Sequence, residues 1–322
     1  MKSKSISVTI ITGFLGSGKT TLLNNIIATY NDKKIIVIEN EFGETNIDKK
    51  LISNVDSSKI IELTNGCICC SVKNELGTVL NSLIISGTEC DALIIETTGI
   101  ADPGSIIKMF LGGDRVNRYF KLDSVICLID AKNFLNSYKE YKEAQLQLIH
   151  SDLFIINKID LVNDNELHKI ESILKEFNKK ELCKTNFAKV DGIEILERNV
   201  YSKSKLSNEL ILYSEPVAVE KNHSQAFETI HVSYKQNFKK RLFLFWIEQF
   251  IHLNSNNIPR IKGVVYFAES DKQYVLQCVN DSFQLYETDS YKESDALSEI
   301  VFIGRDINNQ LINEALESLI SK

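Results

Sequence analysis

The chain has 322 residues, of which 43% are hydrophobic and 25% are charged, and its net charge is −6. This length and composition predict a globular protein of two domains, each able to bury a core. The acidic balance disfavours a nucleic-acid partner, and no apolar run approaches the roughly 20 residues that a membrane span requires. No signal-peptide pattern precedes the first predicted strand, so we expect a cytoplasmic protein without a membrane partner.

The first two hundred residues alternate between short apolar runs and helical stretches. The predicted strands are Val8–Thr12, Ile35–Ile38, Ile60–Leu63, Ala92–Ile95, Val125–Ile129 and Leu153–Ile156. The predicted helices are Thr20–Tyr30, Asn74–Ile85, Tyr138–Ile149 and Glu166–Asn178. Continuous apolar strands indicate a mostly parallel sheet covered on both faces. The fold class is therefore a doubly wound α/β domain that binds ligands at the carboxyl ends of its strands.

A polar stretch from Lys203 to Ser224 is predicted to be a linker between two domains, 1–212 and 225–322. Beyond it, strand patterns follow one another without crossover helices, which predicts a smaller α+β domain with an antiparallel sheet. Its predicted strands are Phe227–Ser233, Gly263–Ala268, Tyr274–Val279 and Ile300–Ile303, and its predicted helices are Phe238–Leu253 and Ile307–Ile320.

The first strand leads into a glycine-rich turn and then a helix, with the pattern G-x4-G-K-[ST]. This context predicts a phosphate-binding loop, because its N–H groups and the helix N-terminus attract anions. Lys19 is expected to bind the β- and γ-phosphates and to act in catalysis, and the Thr20 hydroxyl to ligate Mg²⁺. The nucleotide-binding candidates in this loop are Gly13, Gly16, Ser17, Gly18, Lys19, Thr20 and Thr21.

The run Asn157-Lys158-Ile159-Asp160 follows a predicted strand. An Asp there can accept hydrogen bonds from the ring N–H and exocyclic amine of guanine, whereas adenine has no matching donor pair. Asn157 and Lys158 are expected to brace the loop and cover the base. The sequence thus predicts GTP and GDP as ligands.

A second catalytic candidate, Glu96, ends the predicted strand Ala92–Ile95. Its carboxylate can hold the Mg²⁺ shell or orient the attacking water, and Gly99 would let the backbone meet the γ-phosphate. The loop that continues through Asp102 is expected to move with nucleotide state.

Seven cysteines, an odd number, argue against a disulfide framework. We expect the isolated ones, Cys90, Cys127, Cys183 and Cys278, to be small buried residues. The cluster of Cys67, Cys69 and Cys70 instead favours a thiolate site for Zn²⁺ or a similar metal. A redox disulfide and inert buried thiols are the alternatives.

No histidine precedes His150, so any further metal ligand from this region must be acidic. The loop after the second strand supplies candidates. Glu39 or Glu44 could complete the metal site, and Glu41 could face Mg²⁺. Ordinary solvated acids are the alternative reading.

The segments GFLGSGKTT, IENEFGE, LTNGCICC, ETTGIADP and NKID resemble, in this order, the CobW-type metallochaperone GTPases, and within them the YjiA-like branch. Arg260–Gly263 and Val301–Arg305 resemble that family's carboxy-terminal domain. The resemblance implies a GTPase that binds Zn²⁺ through the C-x-C-C motif and hydrolyses GTP slowly to drive metal delivery to a client protein. It also implies a base-covering loop after N-K-x-D, for which residues 188–191 are the candidate.

Two alternatives stay open at this stage. One is a metal sensor or assembly factor in which GTP only sets the affinity for a partner. The other is a cobalt chaperone for cobalamin synthesis, because ligand type alone does not select the metal. The sequence is compatible with a homo-oligomer.

Overall fold

The computed structural model describes residues 5–40, 60–63, 71–111, 115–177, 182–200, 228–291 and 297–321. Clustering of the chain gives two compact units, one of residues 1–174 and 181–199, the other of residues 175–180 and 200–322. The predicted linker, residues 203–224, lies outside the described residues. The domain limits 1–212 and 225–322 therefore stay a prediction.

The described part of the first unit contains one parallel sheet in the order β3-β2-β4-β1-β5-β6-β7. Its strands are β1 (Ile6–Thr12), β2 (Ile35–Asn40), β3 (Ile60–Leu63), β4 (Ala92–Glu96), β5 (Phe120–Asp130), β6 (Leu153–Asn157) and β7 (Leu182–Lys184). Strands β4 and β6 are buried along their whole length, as expected for a sheet covered on both faces. The predicted doubly wound α/β fold is confirmed.

The helices of this part of the chain are α1 (Lys19–Thr29), α2 (Ser71–Ser86), α3 (Gly104–Ile107), α4 (Arg115–Tyr119), α5 (Phe134–Glu140), α6 (Lys142–His150) and α7 (Asp164–Phe177). Helix α1 packs Leu22, Leu23 and Ile26 into the core, at the spacing that predicted it. The single helix predicted over Tyr138–Ile149 is wrong. Tyr141 has extended backbone angles, φ −118° and ψ 120°, which separate α5 from α6.

The second unit contains an antiparallel sheet, as predicted, and its strands lie in the order β11-β10-β9-β12-β8. Its elements are β8 (Glu228–Tyr234), α8 (Lys240–Asn254), β9 (Arg260–Tyr266), β10 (Lys272–Val279), β11 (Ser282–Tyr291), β12 (Ser298–Gly304) and α9 (Asn309–Ser318). Helix α8 packs Phe243, Ile247 and Ile251 into the core of this unit. Strand β11 was not predicted, because its sequence has little apolar alternation.

The isolated cysteines are only partly as expected. Cys127 and Cys278 are buried, whereas Cys90 and Cys183 are half-buried, so the prediction is wrong for the latter two. Burial raises the pKa of Cys127 to about 12, which keeps this thiol protonated and unreactive. Among the described residues, no helix is long and apolar enough to cross a membrane.

Candidate functional site

The loop between β1 and α1 requires glycine at two positions. Gly13 and Gly18 have φ values of 145° and 100°. A Cβ on Gly13 would lie 2.3 Å from the carbonyl oxygen of Leu128, and one on Gly18 would lie 2.8 Å from Nδ2 of Asn157. Gly18 also caps the N-terminus of α1. Neighbouring strands therefore touch the loop so closely that a side chain would displace it.

The cationic end of Lys19 folds back over this loop, where Nζ donates a hydrogen bond to the carbonyl oxygen of Gly13 at 3.0 Å. The side chain of Ser17 is buried beneath the loop, whereas Thr21 is exposed on the first turn of α1. An ammonium group beside a glycine-rich loop at a helix N-terminus is a suitable arrangement for phosphate oxygens.

Thr20 joins the first turn of α1 to the end of β4, because its Oγ1 donates to Oε1 of Glu96 at 3.3 Å. Glu96 is 9% exposed. The next residue, Thr97, bonds to β1 through its N–H, which donates to the carbonyl of Ile11. A hydroxyl and a carboxylate are thus held together at the carboxyl edge of the sheet, and both are oxygen ligands suited to Mg²⁺.

The loop after β4 lies directly against the phosphate loop. A Cβ on Gly99 would lie 2.8 Å from the backbone nitrogen of Leu15 and 2.9 Å from its Cα. Only a residue without a side chain allows this approach. The backbone of residues 97–99 therefore belongs to the same site as the loop that precedes α1.

Glu39 lies within β2 rather than in the loop after it, so that part of the prediction is wrong. It is 9% exposed, and its Cα pairs with those of Glu96 on β4 and Glu62 on β3. Strands β3, β2 and β4 are parallel neighbours, so their carboxyl ends lie side by side at one edge of the sheet. The remaining metal candidates, Glu41, Glu44, Cys67, Cys69 and Cys70, lie outside the described residues.

Asn157 connects three segments at the end of β6. Its Nδ2 donates to the carbonyl of Ser17 at 2.9 Å, and its Oδ1 accepts from the N–H of Ala188 at 2.8 Å. The side chain is 3% exposed. A buried amide satisfied at both ends fixes the phosphate loop relative to residue 188.

Lys158 has a left-handed backbone, with φ 61°, and its Nζ donates to Gly16 O at 2.7 Å and to Asp130 Oδ2 at 2.8 Å. Burial acts to raise the pKa of Asp130, but the hydrogen bonds from Lys158 and Asn133 outweigh it and hold that pKa below its ordinary value. The carboxylate stays ionised and positions Lys158 over the phosphate loop.

Asp160 is exposed in a 3-10 turn, and its backbone N–H donates to Oδ1 of Asn186 at 3.1 Å. The segment around Asn186 is tightly held. Phe187 and Ala188 both have positive φ, and Nδ2 of Asn25 donates to the carbonyls of both, at 2.9 and 2.8 Å. Two non-glycine residues in this region cost about 1–3 kcal/mol each, so the surrounding bonds must hold them there.

Asn186, which contacts the Asp160 turn, was not singled out from the sequence, and the candidate base-covering loop at 188–191 stays a prediction. The structure brings residues 185–188 next to Asp160, because the short strand β7 pairs with β6. Strand β7 carries too weak an apolar pattern to be predicted. A Thr-Asn pair at 185 and 186 is typical of a turn and was the available signal.

The fold and this edge of the sheet together define a P-loop nucleotide-binding protein. Residues 7–184 match the family model described as the CobW/HypB/UreG nucleotide-binding domain, and residues 227–320 match the cobalamin synthesis protein cobW C-terminal domain. The chain therefore belongs to the CobW/HypB/UreG family, as its motifs predict.

Two relatives are similar to this chain in sequence. The chain is 29% identical to the zinc-regulated GTPase metalloprotein activator 1 of Schizosaccharomyces pombe over 348 residues, covering 94% of this chain and 83% of that protein. It is 43% identical to the zinc chaperone YjiA of Escherichia coli over 169 residues, covering 51% of this chain and 53% of that one.

A crystal structure of Zn(II)-bound YjiA GTPase from E. coli superimposes with a TM-score of 0.73 at 24% identity, covering 99% of this chain and all of that one. This likeness confirms the fold of both units.

Proposed function

We propose that this protein is a metal-binding GTPase that hydrolyses GTP to GDP and couples its nucleotide state to the binding of Zn²⁺ and its transfer to a client protein. The contact between Thr20 and Glu96 at 3.3 Å carries the proposal, because it joins the start of α1 to the end of β4, which pairs with β2, the neighbour of β3. Two relatives are named a zinc-regulated GTPase metalloprotein activator and a zinc chaperone, which supports this assignment.

In this proposal Lys19 binds the β- and γ-phosphates from above the loop, and the N–H groups of residues 13–18 surround their oxygens. Thr20 and Glu96 fit Mg²⁺ as a pair of oxygen donors, Thr20 directly and Glu96 through the ion's water shell. When bound, Mg²⁺ would neutralise charge on the β- and γ-phosphates.

Glu96 serves a second purpose by orienting the water that attacks the γ-phosphate. Gly99 presents its N–H to that phosphate, a role that its close approach to Leu15 supports. These groups act by position and charge, as is general in phosphoryl transfer.

Asp160 reads guanine through its carboxylate, and Lys158 covers the base with its aliphatic stem. The Asn186 bond to the Asp160 N–H supports this role, since it fixes the turn from which the carboxylate projects. An adenine ring would leave that carboxylate without its donor pair, which disfavours ATP.

Zn²⁺ is the cargo. We assign it to the thiolates of Cys67, Cys69 and Cys70, with Glu39 or Glu44 as a further ligand. Glu39 lies on β2, where its Cα pairs with that of Glu96 on the neighbouring strand β4. Glu44 follows β2 in the sequence. The order of β3, β2 and β4 supports a common edge for the thiolate loop and the nucleotide.

The test uses full-length protein purified from cells grown without added zinc. GTP and ATP hydrolysis are measured with Mg²⁺ alone and then with Zn²⁺ or Co²⁺ added, next to Cys69→Ala. We expect GTP to be hydrolysed in preference to ATP, and Zn²⁺ to change GTP turnover in wild type but not in the variant. Equal use of both nucleotides would refute the guanine assignment.

Two further outcomes separate the neighbouring functions. If Co²⁺ changed GTP turnover and Zn²⁺ did not, cobalt would replace zinc as the proposed cargo. GTP binding without turnover, with or without metal, would favour a sensor whose nucleotide only sets partner affinity.

A further inference from the structure

Helix α6 reaches the loop after β4 with a buried glutamine. Gln147 is 1% exposed, and its Nε2 donates to the carbonyl oxygens of Gly99 at 3.1 Å and Ala101 at 3.2 Å. One turn further on, Nε2 of His150 lies 3.4 Å from Oδ1 of Asp102. Residues three apart share a helix face, so one side of α6 contacts this loop at three successive points.

The same loop is held from its opposite side by the phosphate loop. Gly99 approaches the backbone of Leu15 so closely that a Cβ would lie 2.8 Å from its nitrogen. The Gly99 peptide is therefore clamped between Leu15 and Gln147. The Gly99 carbonyl and the N–H of the following residue turn together, so a rotation of that peptide would break a Gln147 bond. The Gly99 N–H shares its peptide with the Thr98 carbonyl, which accepts from the Ala101 N–H at 3.1 Å. Gln147 therefore holds the Gly99 N–H through this turn, because it binds the carbonyls of both Gly99 and Ala101.

Helix α6 is itself tied to the phosphate loop. The ring of Tyr141, at the break that precedes α6, lies 4.8 Å from the ring of Phe14, centroid to centroid. The residue that precedes α6 thus contacts the phosphate loop, and the buried amide of Gln147 on the same helix contacts the loop after β4. This arrangement fixes the distance between the two loops.

We propose that Gln147 is a positioning residue for GTP hydrolysis: it orients the Gly99 backbone toward the γ-phosphate without touching the nucleotide. The inference rests on the proposed function, since it assumes that Gly99 meets a γ-phosphate. GDP lacks that group. Loss of Gln147 should therefore slow turnover of GTP and leave GDP affinity unchanged.

A merely structural role makes a different prediction. Two buried carbonyls left without their donor would lower the folding stability of this region. That loss of stability would loosen the whole phosphate site and weaken the binding of GDP and of GTP to the same extent. The split between kcat and GDP affinity therefore separates positioning from stability.

The test variant is Gln147→Met, which keeps the side-chain length and removes both donors. Gln145→Met is the matched control, because Nε2 of Gln145 donates to the Tyr138 carbonyl at 2.7 Å from the same helix. We expect Gln147→Met to lower kcat for GTP about 10- to 100-fold, the scale of a misplaced reacting group. GDP affinity should stay within about twofold, and Gln145→Met should keep both values within about twofold.

Hydrogen exchange in residues 97–104 gives a readout that needs no turnover. Wild type should be protected more with a non-hydrolysable GTP analogue than with GDP, and Gln147→Met should lose that difference. Wild type that binds GTP but never hydrolyses it would overturn the proposed function, while the exchange difference would still support positioning by Gln147.

Three results would overturn the positioning role itself. The first is a kcat within about twofold of wild type in folded Gln147→Met, and the second is an equal loss of GDP affinity and kcat in that variant. The third is a difference in hydrogen exchange between the two nucleotide states that the variant retains or that wild type lacks.

Discussion

Two buried polar clusters in the first unit look alike in composition but differ in what their charges contact. The loop-edge cluster comprises Asp130 and Lys158, and Lys158 also bonds to the phosphate loop through Gly16. The strand-start cluster comprises Asp123, Asp152 and Arg198, near the beginning of β6. Each places buried carboxylate oxygens beside a cationic side chain, which is 5% exposed at Arg198 and 32% exposed at Lys158.

The strand-start cluster uses its carboxylates to fix backbone. Asp123 accepts N–H bonds from Arg198 at 2.8 Å and Asn199 at 2.7 Å, and Asp152 accepts one from Val125 at 2.9 Å. Burial raises the pKa of Asp123 and lowers that of Arg198. These bonds attach residues 198 and 199 to the sheet, which is a structural task.

The loop-edge cluster instead points cations at the phosphate loop. Lys158 and Lys19 donate to the carbonyls of Gly16 and Gly13, neutral acceptors that phosphate oxygens can replace with stronger, charge-assisted bonds. A perturbed pKa and burial therefore do not by themselves mark a functional site. The acceptor that the cation contacts is the more informative feature.

The largest expected effect is on stability, at the strand-start cluster. Arg198→Met leaves two buried carboxylates without their cation, so the free energy of unfolding should fall by about 3–5 kcal/mol. Urea denaturation measures this. The control Lys33→Met breaks an exposed ion pair with Glu197 and should cost at most about 1 kcal/mol. A loss of GTP affinity in folded Arg198→Met would contradict the purely structural role of the strand-start cluster.

At the phosphate loop, Lys19→Ala should lower GTP turnover about 10²- to 10³-fold, the usual loss when one charge-stabilising donor is removed. The melting temperature should hardly change, because the Lys19 amine bonds to a loop carbonyl at the edge of the unit. Calorimetry and a phosphate-release assay report the two properties, with Lys33→Ala as the control cation. Retained turnover in Lys19→Ala would contradict the phosphate assignment.

A smaller effect is expected at the base. Asp160→Asn should weaken GTP about 10- to 100-fold, since hydrogen bonds to a charged group contribute about 1.5–3 kcal/mol. The ratio of GTP affinity to ATP affinity should fall in the same variant. Asp164→Asn, an exposed acid at the start of α7, is the matched control. Titration with fluorescent nucleotides measures these affinities. If Asp160→Asn bound GTP as tightly as wild type and the control do, the assignment of guanine recognition to Asp160 would be wrong.

The smallest effect separates the clusters by pH. Because the folded-state pKa of Asp130 is lowered, its contribution to stability is present above the ordinary value of 3.8 and is lost as the pH falls through the folded value. The destabilisation by Asp130→Asn should thus be largest near neutral pH and shrink in acid. The folded pKa of Asp123 is raised, so Asp123→Asn should show the opposite trend. Parallel trends would contradict the assigned shifts.

The fold and the phosphate loop were predictable because their signals are local. Gly18 and Lys19 sit in a short pattern with its strand and helix attached, and the apolar runs of β4 and β6 are continuous. The Gln147 contact to Gly99 was not predictable, because it joins residues 48 positions apart in sequence.

The break at Tyr141 was missed for a related reason. Its residues favour a helix by spacing, but the aromatic contact with Phe14 belongs to the tertiary structure. Glu39 was placed in a loop because the apolar run of its strand stops one residue earlier. Pairing with β4 extends β2 to Glu39, and pairing with β3 extends it to Asn40.

The proposed function requires that nucleotide state change the zinc affinity of the protein. The direct test is zinc affinity, measured by competition with a chromophoric chelator in the apo, GDP-bound and GTP-analogue-bound states, with Cys69→Ala as the control. We predict that zinc affinity differs about 5- to 150-fold between the apo state and the GTP-analogue-bound state. Bound zinc should then change the affinity for that analogue by the same factor. Equal zinc affinity in all three states would contradict the coupling, even if zinc and GTP each bind tightly.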